Sequence, residues 1–303
     1  MRGWVLSFVM AFGLLLGSPF VTSPAQAAEK LNVLMIAVDD LRPQIGCYGD
    51  KLARTPNLDR LASRGVVFNR AYCQQAVCSP SRTSLMTGCR PDTTKVWDLK
   101  THFRKNIPDV VTLGQCFKNN GYHTQSLSKI FHSGFDDPPS WSVPAWFPKN
   151  KNYGDPGLLR KLDEAKRVKG PAWESPDVAD NALRDGETAD KAVEVLREVK
   201  DKPFFLAVGF YKPHLPFVAP KKYFEMFPLE SIRLPDNPNP PKDVPELALT
   251  DWGELRGYMD VPQSGPLSDE MTRKLIQAYY AAAAYADAQI GKVLAELERL
   301  GLA

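Results

Sequence analysis

The sequence predicts an α/β protein with a mostly parallel central sheet flanked by helices. Leu31-Asn32-Val33-Leu34-Met35-Ile36-Ala37-Val38 and Pro203-Phe204-Phe205-Leu206-Ala207-Val208-Gly209-Phe210 are nearly continuous apolar runs of strand length. Strands buried on both faces of a parallel sheet read this way. Segments of helical period lie between and after them, and each run ends in a polar cluster, Asp39-Asp40 and Lys212-Pro213-His214. Open α/β sheets bind ligands beyond the carboxyl ends of their strands, so these clusters mark a candidate site.

The 303 residues carry 38 Lys and Arg against 35 Asp and Glu, a formal charge of +3, and 44% are hydrophobic. That composition fits a globular protein and lacks the basic excess that would point to nucleic acid or a membrane surface. Arg2, the apolar run from Trp4 to Leu16 and Ala25-Gln26-Ala27 read as the three parts of an export signal at residues 1–27. The apolar run is shorter than the ~20 residues that span a bilayer. Residues 28–303 are therefore expected as one exported domain with no nucleic acid and no stable membrane partner. Export permits disulfides, but Cys47, Cys73, Cys78, Cys89 and Cys116 make an odd count that leaves at least one thiol unpaired. No Cys-x-x-Cys pair occurs, so a thiolate zinc site is not expected.

Along the chain, adjacent Asp39 and Asp40 at a strand end read as a site for a hard cation such as calcium, which takes carboxylate oxygens; the plainer alternative is a pair of solvated loop acids. Thr55 is placed to cap a helix that begins at Pro56 and stops at Gly65, and Val66-Val67-Phe68 reads as a short strand. Val77-Cys78-Ser79-Pro80-Ser81-Arg82 follows, with Leu85-Met86-Thr87-Gly88 behind it. Taken alone, Cys78 has a plainer alternative there, a buried structural cysteine before a proline-started helix. A helix is expected near 112–119, then Leu127-Ser128-Lys129-Ile130-Phe131-His132-Ser133-Gly134. Residues 135–180 read as a long irregular insertion facing substrate, in which Trp141, Trp146 and Phe147 either stack on sugar or pack beneath the loop. A helical period covers 186–199, a proline-dense extended loop covers 216–245, and Ser268 caps a long helix reaching Leu300, with a small-residue face at 281–284.

Asp39-Asp40-Leu41-Arg42-Pro43, Gly46-Cys47-Tyr48-Gly49-Asp50, Thr55-Pro56-Asn57-Leu58-Asp59 and Cys78-Ser79-Pro80-Ser81-Arg82 occur in one order. That ordered set resembles the sulfatase family of the alkaline-phosphatase-like superfamily. Gln74-Gln75-Ala76-Val77, Arg90-Pro91-Asp92-Thr93-Thr94 and the spacing from Lys129 to His132, where many sulfatases have Lys-x-His, are similar to the iduronate-2-sulfatase branch. The resemblance covers residues 31–303. It implies oxidation of Cys78 to formylglycine by a formylglycine-generating enzyme, and calcium held by Asp39, Asp40 and the modified Cys78. It further implies that Arg82 and Lys129 stabilise sulfate, that His132 holds or deprotonates the formylglycine hydroxyl, and that His214 is the general acid. The chemistry is coherent: a thiolate would end as a stable S-sulfo adduct, whereas a hydrated aldehyde can release sulfate. The implied substrate is a sulfated saccharide, with a uronate 2-O-sulfate as the cleaved ester.

One departure limits this. The family carries a later strand ending in an acid-His-Gly motif, and none of His102, His123, His132 and His214 is flanked that way. The expectation is the N-terminal part of such a catalytic domain, incomplete at its C-terminal side and not competent by itself. The alternatives are a phosphate or phosphonate ester hydrolase on the same scaffold, and an inactive fragment or non-catalytic glycan-binding module.

Overall fold

A computed structural model describes residues 30–303, and the expected export signal lies outside them. In chain order the regular elements are β1 (Val33–Val38), α1 (Pro56–Arg64), α2 (Cys78–Thr87), α3 (Pro91–Thr94), α4 (Leu113–Asn119), β2 (His123–Ser128), α5 (Pro156–Glu164), β3 (Trp173–Glu174), α6 (Arg184–Val199), β4 (Phe204–Phe210), β5 (Phe217–Val218), α7 (Lys221–Phe224), α8 (Gly253–Arg256) and α9 (Asp269–Arg299). Three strands form a parallel sheet in the order β1-β4-β2, with Val33 opposite Phe205 and His123 opposite Phe204. β3 and β5 pair in parallel as a separate ribbon.

The central strand β4 explains why its sequence is apolar without a break. Phe204, Leu206, Val208 and Phe210 pack against Ala192 and Leu196 of α6 and Ile290 of α9. Phe205 and Ala207 pack on the other face with Met86 of α2 and with Ile130 and Trp141. Both faces are covered, so two-residue alternation carries no polar side. Gly209 is the exception that serves the site. A Cβ there would overlap the backbone of Lys129, so its absence lets the segment after β2 lie directly against the end of β4.

α9 follows its sequence closely. Ser268 Oγ accepts from Met271 N at 3.1 Å, Asp269 and Glu270 occupy the first turn, and residues 281–284 are buried alanines. Asp287 on this helix accepts from Asn57 N at 3.1 Å and Leu58 N at 2.8 Å, satisfying the first turn of α1. The cap expected from Thr55 is therefore not made by its own side chain. Thr55 Oγ1 instead accepts from Gly46 N at 2.9 Å and ties down the preceding loop.

Other expectations need correction. Residues 66–68 form no strand; Val66 and Phe68 are 80% and 70% exposed, since three apolar residues without a partner ladder gain nothing from extension. The stretch 135–180 contains α5 and β3 and is not wholly irregular. Trp141 is buried in the core, its Nε1 donating to Asp136 Oδ1 at 2.9 Å, which decides for packing over sugar stacking at that residue. The five cysteines are all free thiols. Among the described residues no helix is long and apolar enough to cross a membrane.

Candidate active site

β1 delivers two carboxylates to the carboxyl end of the sheet. Asp39 continues the ladder, its N–H donating to Phe210 O at 3.0 Å, and its side chain is buried. Asp40 turns into the left-handed region at φ 57°. After this turn both carboxylates meet one imidazole: His214 Nε2 lies 3.9 Å from Asp39 Oδ2 and 3.8 Å from Asp40 Oδ2. Tyr279 of α9 clasps the turn, its hydroxyl donating to Asp40 O at 3.0 Å and accepting from Arg42 N at 2.9 Å.

α2 places Cys78 at its first position and Arg82 one turn later on the same face. Arg82 Nη2 donates to Asp39 Oδ1 at 2.8 Å, and Nη1 donates to Ile130 O at 3.1 Å and to Lys129 O. Lys129 Nζ pairs with the other oxygen of Asp39. Burial works to raise the Asp39 pKa, but these two cations outweigh it and hold the carboxyl below its usual range. Arg82 thus clamps strand end, helix and the Lys129 segment together, with both terminal nitrogens engaged by protein.

Cys78 sits between two cavities. One of about 450 Å³ is lined by Lys129, His132, Tyr211 and His214; the other, of about 370 Å³, is lined by Asp39, Asp40 and Arg82. A helix N-terminus ordinarily lowers a thiol pKa. Here burial pushes Cys78 up, and the charges of Asp39 and Asp40 add to it against Lys129. His132 is half-buried with its Nδ1 unpartnered, and burial followed by the charge of Lys129 pushes its pKa down, which leaves a neutral ring able to accept a proton. His214 Nδ1 stands 2.6 Å from Leu215 O. A carbonyl only accepts, so Nδ1 carries the proton there and Nε2 faces the carboxylates.

The His214 loop is held from beneath by residues that no local motif flags. Asp185, fully buried in the first turn of α6, accepts from Tyr211 N at 2.8 Å and Lys212 N at 2.7 Å. Lys212 Nζ donates to His214 O at 3.1 Å and to Pro216 O. Glu254 Oε1 approaches His214 Nε2 to 3.5 Å, and Arg184 lines the same cavity. Sequence reading missed Asp185, Arg184, Glu254 and Tyr279, because each reaches the site only through the packing of α6, α8 or α9.

For a hard cation the donor type fits: Asp39 and Asp40 are oxygen donors beside Cys78. The donor number is smaller than the ~6–8 oxygens calcium takes. Among the described residues no group of three or more His, Cys, Asp or Glu has a metal-holding arrangement.

Comparison with known proteins gives a consistent result. The family model described as Sulfatase matches residues 31–303. Iduronate 2-sulfatase of Mus musculus is 41% identical over 97% of this chain and 57% of its own length. The Homo sapiens protein is 40% identical over 93% of this chain and 54% of its own length, so the chain spans little more than half of these curated relatives. The phosphonate monoester hydrolase of Agrobacterium radiobacter superposes with a TM-score of 0.63 over 90% of this chain and 60% of that one, at 21% identity, a likeness of fold alone. With a family model matched from residue 31 to residue 303 and relatives about 40% identical over nearly all of the chain, this chain belongs to the sulfatase family.

Proposed function

We propose that this site hydrolyses a sulfate ester on a sugar, the 2-O-sulfate of a uronate in a sulfated polysaccharide, in an exported protein. The single observation that carries the reading is the place of Cys78, between a carboxylate-lined and a cation-lined cavity and with its thiol pKa pushed up. The Cys78-Ser79-Pro80-Ser81-Arg82 context, which resembles the family's maturation motif, supports conversion of Cys78 to formylglycine by a formylglycine-generating enzyme. The hydrated aldehyde would supply two hydroxyls on one carbon, one to attack sulfur and one whose deprotonation releases sulfate.

The chain's own residues have distinct tasks around that atom. Lys129, beside Cys78 in the larger cavity, offers the positive charge that orients the sulfate oxygens. Arg82 keeps Asp39 ionised and the Lys129 backbone in register. His132 presents an unpartnered Nδ1 to hold or take a hydroxyl proton. His214, held through Nδ1–H to Leu215 O, would donate from Nε2 to the sugar oxygen as it leaves when that nitrogen carries a proton as well. Asp39 and Asp40, with the oxygen that replaces the Cys78 sulfur, would hold calcium, which supplies positive charge against the sulfate group.

The test is the chain co-produced with a formylglycine-generating enzyme. Peptide mass spectrometry is expected to show loss of the thiol at Cys78, and in a form extended by the later part of the family's catalytic domain a 2-sulfated uronide is expected to release sulfate in a reaction abolished by Cys78→Ala. A thiol retained throughout would remove the formylglycine chemistry. Faster turnover of a phosphate or phosphonate ester would reassign the substrate, and saccharide binding without release would leave a binding module.

A further inference from the structure

The cavity that holds Lys129, His132 and His214 extends beyond the groups given to the sulfate ester, and Arg184 stands in its wall. Arg184 is fixed without being used up. Its Nε donates to Asn150 O at 2.8 Å, and its guanidinium lies over the Tyr211 ring, 5.4 Å from the centre. Among the described residues its Nη1 and Nη2 donate to nothing, so four of the five N–H donors of a planar fork suited to carboxylate or sulfate remain free. Lys129 lies over the same Tyr211 ring, also 5.4 Å from its centre. No more than twice that distance separates the two cations, a span that one sugar ring with an anionic substituent on either side covers.

The surroundings favour an anion there. Lys169 adds a charge to the same cavity, its Nζ donating to Glu254 O at 3.2 Å and lying 4.8 Å from the centre of the Tyr258 ring. Among the described residues Glu254 is the only carboxylate in the lining, and it stands 3.5 Å from His214 Nε2.

We propose that Arg184 forms a second anion subsite, which reads a carboxylate or a further sulfate on the same saccharide whose ester is cleaved. The substrate class is then a polyanionic saccharide, and a neutral sugar bearing one sulfate is a poor ligand. This rests on the sulfate-ester reading above and adds a specificity-determining residue to it.

Titration calorimetry on the Cys78→Ser chain, which binds without turnover, tests it with three disaccharides. The first is a uronate with one 2-sulfate, the second its carboxyl-reduced form, and the third the carboxyl-reduced form with a second sulfate. The first is expected to bind about tenfold tighter than the second, the worth of one charge-assisted pair. Arg184→Gln in the same background should erase that preference and leave the second ligand's affinity unchanged, while Arg184→Lys should restore part of it. Tight binding of the third ligand would assign the subsite to anions in general, and weak binding would assign it to a carboxylate. A preference that survives Arg184→Gln, or an equal loss for the first two ligands, would overturn the subsite. No binding of any of the three would instead sink the sulfate-ester reading, and the subsite with it.

Discussion

Asp185 is the residue whose loss should be felt furthest from where it sits. It is 1% exposed and receives two backbone N–H groups of the loop that carries His214. Asp185→Ala leaves both donors buried and unpaired, each at about 1–3 kcal/mol. It also strips the nearby charge that opposes burial of Lys212, and removing one partner of a buried pair costs about 3–5 kcal/mol. The two effects overlap, so the expected loss is about 4 kcal/mol, a large part of the ~5–15 kcal/mol of a typical domain. Asp185→Asn keeps the shape and one acceptor and should lose about half as much. Urea unfolding followed by tryptophan fluorescence reads both values. A loss below about 1 kcal/mol for the alanine variant would show that Asp185 does not hold the loop.

The pH dependence supplies an independent check. Burial pushes Asp185 up to about 6 from an ordinary 3.8, against the hydrogen bonds from Lys212 and Tyr211. A raised acid binds its proton more tightly when folded. Its stabilising contribution is complete below pH 3.8 and lost as pH rises through about 6. Acidification from pH 7 to 4 should therefore raise wild-type stability relative to Asp185→Asn by up to about 3 kcal/mol, the worth of two pKa units. Lys212, pushed down to about 8 by burial, titrates above this window in the wild type. Without Asp185 its pKa falls further, which weakens the variant at low pH and acts in the same direction. A difference that stays flat or shrinks on acidification would refute the raised Asp185.

Three further outcomes follow from the same geometry. Asp137, buried and bound by Arg104 at 2.8 and 2.9 Å and by Ser140 Oγ at 2.6 Å, has burial outweighed by these partners and its pKa lowered. Its stabilisation is present above pH 3.8 and lost as pH falls through the depressed value, so Asp137→Asn should cost about 3–5 kcal/mol at pH 7 and flatten acid unfolding. Gly209→Ala must push the Lys129 backbone away from β4, costing about 1–3 kcal/mol in thermal melts; native stability would show that the close approach is dispensable. In a full-length form, His214→Ala should slow sugar sulfates, whose alkoxide needs a proton, by ~10²–10⁴-fold and aryl sulfates much less, and equal losses on both would remove His214 as the acid.

Legibility in the sequence followed the physics of each element. β1 and β4 were readable because burial on both faces demands unbroken apolar runs, and α9 because its cap, acidic first turn and alanine face are all local signals. β2 was not, since His-Thr-Gln-Ser-Leu-Ser carries no apolar period. It is buried because its polar groups find partners: Ser126 O accepts from Trp146 N at 3.0 Å and Thr124 Oγ1 donates to Ser140 O at 2.9 Å. In the candidate site, Asp39, Asp40, Cys78, Arg82, Lys129, His132 and His214 stand in short motifs, and folding brings them around two adjoining cavities. Asp185, Arg184, Glu254 and Tyr279 stand in no motif. Their roles exist only once α6, α8 and α9 are laid beside the sheet, and sequence spacing holds no record of that.

Cys78 shows the same limit in a single atom, and it can be tested without any substrate. A cysteine that opens a helix beside Lys and Arg is ordinarily an activated thiolate. The structure reverses this, because burial comes first among its influences and Asp39 and Asp40 oppose the charge of Lys129. Unmodified Cys78 should therefore alkylate with iodoacetamide at pH 7.5 more slowly than Cys73 and Cys116, which are exposed. Asp40→Asn removes one of the two opposing charges and should speed Cys78 while leaving Cys73 and Cys116 unchanged. Time-resolved peptide mapping separates the sites. Cys78 reacting fastest of the three would mean a stabilised thiolate after all, and the case that this position works only as an uncharged oxygen nucleophile would lose its physical ground.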